Sequence, residues 1–244
     1  MTRQHLLFSI VGVVVLMMLP SCTSDDDSPE LLRPTALVTV CPNADGSFIM
    51  QLDNATQLVP TNLKTSPFGT KEVRALVNYT ETNVSPQDKK VRNVEVNWLD
   101  SIRTKLPVET LGKQDEVKYG NDPIEIVQDW VTVAEDGYLT LRIRTLWGSP
   151  HATHILNLVT GTNPEDPYEL ELRHDAKGDK NGRWGDALIA FNLNKLPRGD
   201  AGIAKIKLKW KSFTGDKSAK FEIKMRPLKQ EIDANNIQYS RGIE

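Results

Sequence analysis

The chain has 244 residues, with 30 Lys and Arg against 32 Asp and Glu and a formal net charge of −2 at pH 7. With no basic surplus there is no global field to hold a phosphate backbone, and nucleic acid is not an expected partner. Two cysteines are too few for the disulfide framework of a small secreted scaffold.

From Leu6 to Leu19 the chain is almost wholly apolar, behind a short head carrying Arg3 and His5. This is the layout of a secretory signal peptide, residues 1–21, and the run is shorter than the about 20 residues a bilayer span needs. Leu19-Pro20-Ser21-Cys22 resembles the lipobox of bacterial lipoproteins. The resemblance implies cleavage before Cys22 and a diacylglycerol on its thiol; an ordinary cleaved signal beside a chance cysteine is the alternative. Anchoring through several acyl chains is stable where a single chain is marginal. Ser24, Asp25, Asp26 and Asp27 resemble the surface-export signal of Bacteroidota lipoproteins, which implies an outward-facing protein held on the outer membrane. Residues 22–34 also suit a solvated flexible tether, because they hold too little apolar surface to order themselves. With Cys22 taken by lipid, Cys41 is left unpaired between Leu37-Val38-Thr39-Val40 and Pro42, and is expected to be a half-buried, inert thiol.

After the signal about 220 residues remain, enough for two domains of ordinary size. Nearly every ordered segment alternates with a period of two, so the chain reads as all-β. Strands are expected at 36–40, 48–53, 56–60, 73–79 and 94–98, with Phe48, Met50 and Leu52, then Val73, Ala75, Val77 and Tyr79, then Val94, Val96 and Trp98 facing inward. Asp45-Gly46 marks a hairpin between the first two. Five short strands opening with a hairpin suit an OB-like barrel over 35–112, and an irregular sandwich would explain them nearly as well. From Pro107 to Pro123 glycine, lysine, aspartate and asparagine dominate, and the domain boundary is expected there.

The second unit, 113–230, resumes with Ile124 to Val133, a Glu135-Asp136-Gly137 turn, and stripes at Leu139-Leu141-Ile143, Tyr168-Leu170-Leu172, Ile189-Phe191-Leu193, Ile206-Leu208-Trp210 and Phe221-Ile223-Met225. Strands at this spacing point to a β-sandwich. Lys205, Lys207, Lys209 and Lys211 face outward, placed to pair with Glu169, Glu171 or Glu222, to protect an edge, or to bind an anionic ligand. Residues 231–244 form a polar tail without apolar period.

Several stretches together resemble the NigD-like lipoproteins of Bacteroidota: the lipobox with its acidic follower, Ser47 to Asp53, Arg74 to Tyr79, Val96 to Ile102, His154 to Val159 and Tyr168 to His174. The resemblance spans nearly the whole mature chain and implies an OB-like barrel followed by a β-sandwich. It implies no catalytic residues and no cofactor; its link with bacteriocin gene clusters implies an immunity or envelope role.

His151 and His154 are three residues apart, a spacing that puts them on opposite faces of a strand, so a shared metal is not expected. His174 continues the stripe of Leu170 and Leu172, which suits a buried, hydrogen-bonded imidazole or, in a cleft with a second polar group, a catalytic one. The loop 175–182 carries three side-chain oxygen groups and two glycines but departs from the EF-hand order, and reads as a hairpin. Trp98 and Trp210 read as core. Trp147 and Trp184 sit in turn-like contexts, where an indole either caps its own sheet or contacts a sugar or protein ligand. Asp100-Ser101-Ile102 resembles the short O-glycosylation acceptor of these bacteria, with Ser101 as the acceptor. Nucleophile-elbow, Walker and dinucleotide motifs are absent. These observations point to a non-enzymatic surface lipoprotein without metal or cofactor, binding a glycan, a protein or a toxin through loops near Trp147, Trp184 and His174. The alternatives are a hydrolase or metal-dependent enzyme around His174 and residues 175–186, or a structural envelope subunit.

Overall fold

Short alternating strands close the first unit into a barrel. The computed structural model describes residues 32–83, 90–149 and 151–226; the signal, Cys22, Ser24, Asp25, Asp26, Asp27 and the tail 231–244 lie outside the described residues. Strands β1 (Ala36–Pro42), β2 (Phe48–Gln51), β3 (Gln57–Pro60), β4 (Val73–Asn83) and β5 (Val91–Ser101) form a closed barrel in the order β1-β2-β3-β5-β4. Only β3 and β5 run parallel. The β1–β2 turn is set by Asp45, whose carboxylate accepts the Ser47 amide at 3.0 Å, and by Gly46 at a φ of 86°. Val38, Val40, Met50, Leu58, Ala75, Val77 and Val94 fill the interior with no exposed area. Trp98 departs from the expected core stripe. A register shift between Asn78 and Tyr79 on β4 inserts one extra β5 residue, so Leu99 packs on the core instead and Trp98 is half-buried.

The chain then enters both sheets of a sandwich. Strands β6 (Arg103–Lys105), β7 (Val108–Glu109), β8 (Glu125–Val127), β9 (Val133–Glu135), β10 (Tyr138–Trp147), β11 (Ile155–Thr160), β12 (Glu169–Asp175), β13 (Arg183–Asn192), β14 (Ile203–Ser212) and β15 (Gly215–Lys224) follow in order, with a one-turn helix α1 (Asp115–Tyr119) after β7. One sheet runs β6-β13-β10-β8, with β9 also on β10; the other runs β15-β14-β12-β11-β7. Leu139, Leu141, Leu158, Leu170, Phe191 and Leu208 meet between them with no exposed area. Because β6 pairs with β13 and β7 with β11, residues 103–109, read above as part of the barrel unit, are stitched one strand into each sandwich sheet. The Ile124–Val133 stretch is two strands rather than one. The Asp129 carboxylate accepts the Val131 and Thr132 amides and turns the chain between them. The 176–182 loop is a crossover between sheets, not a hairpin, since β12 and β13 lie in different sheets. Glu169 receives both Lys207 and Lys209, at 2.9 and 3.2 Å, so part of the lysine strip pairs across strands.

A buried polar interlock joins the units. Arg74 of β4 is fully buried; it donates to Thr39 of β1 at 2.9 Å, and across the junction to Thr140 of β10 and Glu135 of β9. Thr39 donates in turn to Asp136 at 2.6 Å, and Asp136 accepts two hydrogen bonds from Arg226. Arg226 also reaches Glu72, which accepts the Tyr138 hydroxyl, and both arginines lie over the Tyr138 ring. Burial opposes the Arg226 charge, but the Asp136 hydrogen bonds and the nearby Glu72 outweigh it and hold its pKa above the usual range. Beside this network Leu37 and Ile102 pack on Ala190, with Leu76, Val133 and Leu188 around them. Cys41 lies at the rim, its thiol pushed up to about 12 chiefly by burial, a value that leaves almost no reactive thiolate at neutral pH.

Replacing Arg74 with Ala strands Glu135 at the junction and takes the guanidinium from Thr39 and Thr140, and one-sided removal from a buried pair costs about 3–5 kcal/mol. Urea denaturation of Arg74→Ala is expected to show a loss in that range, with the barrel and sandwich no longer unfolding together.

Candidate functional site

The site is organised by one strand. Along β13 the side chains alternate, with Gly185, Ala187 and Ile189 toward the sandwich interior and Trp184, Asp186 and Leu188 toward the outside. On one side β13 pairs with β10 over its whole length, from Trp147 opposite Arg183 to Tyr138 opposite Asn192. On the other side β6 covers it only at Ile189–Phe191. Residues 183–188 therefore present an edge with no strand against it among the described residues. Three hollows of about 360, 240 and 390 Å³ meet along this edge, and Ala187 lines all of them.

The outer hollow lies between the units, with Pro34 and Leu76 of the barrel facing Trp130, Val131 and Leu188 of the sandwich. Trp130 is 55% exposed. Asp186 accepts from Arg142 and Arg144 and is held down to about 2, first by the Arg144 hydrogen bond. Arg142 also reaches Asp129 at 2.7 Å, so this charge cluster is internally neutralised. Trp184, likewise 55% exposed, stands edge-on to Phe213 with ring centroids 4.8 Å apart.

The inner hollow is the open side of the sandwich, floored by Ile143, Ile155, Leu156 and Ile189, with Arg103 and Lys105 at one end and Trp147 and His154 at the other. Trp147 lies across the strand because Gly185 has no side chain; a Cβ there would stand 2.5 Å from the indole. Its Nε1 donates to the Gly185 carbonyl at 3.1 Å. The Lys105 ammonium donates to the Leu156 carbonyl at 2.6 Å and to Asn157 at 2.8 Å, tying the sheets together. Burial, followed by the neighbouring Arg103, lowers its pKa.

Beneath Trp147 lies a chain of imidazoles. His154 stacks on Trp147 with centroids 4.0 Å apart, and its Nδ1 is 2.9 Å from His174 Nε2. A carbonyl only accepts, so His174 donates from Nδ1 to the Pro123 oxygen at 3.1 Å, and its Nε2 accepts from His154. His154 Nε2 stands 3.2 Å from Asp179, whose carboxylate also accepts the Gly148 amide. Asp179 is held below its usual range first by the His154 hydrogen bond. His174 is 1% exposed, and no substrate can meet it. The catalytic reading that required an open His174 in a polar pocket is removed by this burial.

Of the three ligand candidates, Trp147 and Trp184 border the concave face, whereas His174 supports it from below. His151 is exposed in a turn. In the 175–182 loop Asp175 is engaged by Lys177, and Asp179 by His154 and Gly148. No group of three or more His, Cys, Asp or Glu side chains converges as a cation site among the described residues. Ser101 is exposed at the end of β5. Sequence reasoning missed Trp130, Arg103 and Lys105. An indole next to the Asp129 turn was a usable signal for the first; the two cations gain meaning only once β6 is known to join β13.

The comparisons follow the same architecture. Residues 37–102 match the model of the NigD-like N-terminal OB domain, and residues 107–223 that of the NigD-like C-terminal beta sandwich domain. Among solved structures, a candidate toxin-related protein of Parabacteroides distasonis is similar at 28% identity and a TM-score of 0.66, covering 83% of this chain and 98% of that one. A NigD-like immunity protein of Bacteroides caccae shares 21% identity and a TM-score of 0.55, covering 76% of this chain and 90% of that one. A candidate lipoprotein of Bacteroides fragilis shares 14% identity at a TM-score of 0.53, covering 80% and 98%. Comparison with curated proteins finds no match. No helix among the described residues is long and apolar enough to cross a membrane.

Burial, partly countered by the Pro123 carbonyl, lowers the His174 pKa, with His154 lowering it further and Asp122 raising it. The unfolded chain then binds a proton near pH 6.5 that the folded chain refuses, so stability is full above that pH and falls as the solution is acidified toward the depressed folded value. Thermal unfolding from pH 7.5 to 5 is expected to show a falling midpoint, with a shallower slope in His174→Gln; equal slopes would remove His174 as the cause.

Proposed function

The chain belongs to the NigD-like family, and on that premise we propose that it is a lipid-anchored, non-enzymatic envelope protein that binds a polypeptide toxin and protects the cell carrying it. Relatives described as an immunity protein and as toxin-related support this reading. The observation that carries it is the pair of indoles, Trp130 and Trp184, each 55% exposed, at the borders of one concave face. Exposed tryptophans around a hollow are what protein-binding hot spots are made of, because they combine large apolar area with a hydrogen-bond donor. In this proposal Cys22 carries the acyl anchor and residues Ser24 to Asp27 direct the protein to the outer face of the outer membrane. Ser101, exposed at a strand end, is the glycosylation acceptor.

A strain lacking the chain, challenged with concentrated supernatant from a toxin-producing Bacteroides culture, is expected to regain at least tenfold survival when the wild-type chain is restored. Truncating hot-spot tryptophans costs about 2 kcal/mol or more each, so the Trp130→Ala, Trp184→Ala double variant is expected to lose that protection while still folding. Absence of protection by the wild-type chain would contradict the immunity role. Intact-mass measurement of the membrane fraction is expected to find diacylglycerol on Cys22.

A further inference from the structure

We propose that the free edge of β13 is a docking site for an extended polypeptide segment, added as a strand along residues 183–188, with alternating apolar side chains and an acidic group at the end facing Arg103. The inference rests on the reading above that the partner is a polypeptide, and it specifies how that partner is held.

The edge supplies the backbone groups. β13 is paired through β10 on one side, and β6 leaves residues 183–188 uncovered on the other. Uncovered strand edges are templates for an incoming chain. The hollows supply the side-chain sites. A strand added here would be collinear with β6 and would send successive side chains to opposite faces. One set would enter the inner hollow over Ile143, Leu156 and Trp147, and the other the outer hollow of Pro34, Leu76 and Trp130. Both hollows therefore serve a single extended ligand, whereas a compact small molecule would fill only one.

The charge supplies the polarity. Arg103 and Lys105 line the inner hollow and no carboxylate does. Lys105 is committed to Leu156 and Asn157. The Arg103 side chain, exposed on β6, has no hydrogen bond or ion pair among the described residues. Its guanidinium sits where the incoming strand would end against β6, and an arginine fork matches a carboxylate in two parallel hydrogen bonds. The distance along β13 from Gly185 beneath Trp147 to Ile189 beside Arg103 is four residues, about 13 Å of strand, so the recognised segment is short.

A phage-displayed random heptapeptide library selected on the full mature chain tests this. Enriched sequences are expected to carry apolar residues at every second position and Asp or Glu at one end. The synthetic form of the best peptide is expected to bind at least tenfold more weakly to Arg103→Glu, and to lose tenfold or more when alternate backbone amides are N-methylated. The proposal is overturned if no peptide is enriched, if the selected peptides bind Arg103→Glu as well as wild type, or if N-methylation has no effect. It is also overturned if octanoate binds the hollow while peptides do not. The survival assay run with Arg103→Glu separates this inference from the one beneath it: unimpaired protection removes the strand-docking site alone, whereas a wild-type chain without protection removes the immunity reading.

Discussion

A single buried guanidinium fixes how the two units of this protein stand to each other. Arg74 lies on a barrel strand yet takes its partners from both units: Thr39 on one side, Thr140 and Glu135 on the other. Separating the units would leave this charge either to be rehydrated or to lie unpaired, and an unpaired buried ion is among the costliest defects a fold can carry. The Asp136–Arg226–Glu72 chain extends the same constraint, and the apolar contact of Leu37 and Ile102 with Ala190 keeps water from it. The arrangement held in this way brings Pro34 and Leu76 of the barrel up to Trp130 of the sandwich.

That arrangement gives the concave face its form. One wall belongs to the barrel, while the central ridge is β13, held rigid by its full-length pairing with β10. The imidazole pair His154–His174 sits under Trp147 as a polar prop, its hydrogen bonds completed by Pro123 and Asp179, so the indole is held in place from below as well as by the Gly185 carbonyl. Two histidines that in isolation suggest chemistry are thus used to position an aromatic surface.

Much of the architecture was legible in the sequence because a period of two is a local property. Val38 and Val40, Ala75 and Val77, or Leu139, Leu141 and Ile143 need only their neighbours to declare which way they face. The junction was not legible for the same reason. Arg74 alternates with Val73 and Ala75 and reads as an outward polar residue; only the presence of a second unit against that outward face makes it the most deeply buried charge described. Trp98 shows a different limit, since the bulge that turns it from the core depends on the β4–β5 register. Within the candidate site Trp147 and Trp184 were visible from their glycine-rich contexts. The pairing of His154 with His174 required the β11–β12 alignment, and Arg103 became a candidate only when β6 was seen to stop short of residue 188.

The claim on which the rest depends is that barrel and sandwich behave as one body with the 183–188 edge open on its surface. Residue-resolved hydrogen exchange in increasing urea measures both parts together. Amides of β1 and β4 in the barrel and of β10 in the sandwich are expected to share one opening free energy, while the edge-facing amides of Trp184, Asp186 and Leu188 exchange well before their β10-facing neighbours. A barrel that opens at lower free energy than the sandwich, or protection of the 183–188 edge equal to that of β10, would contradict the account.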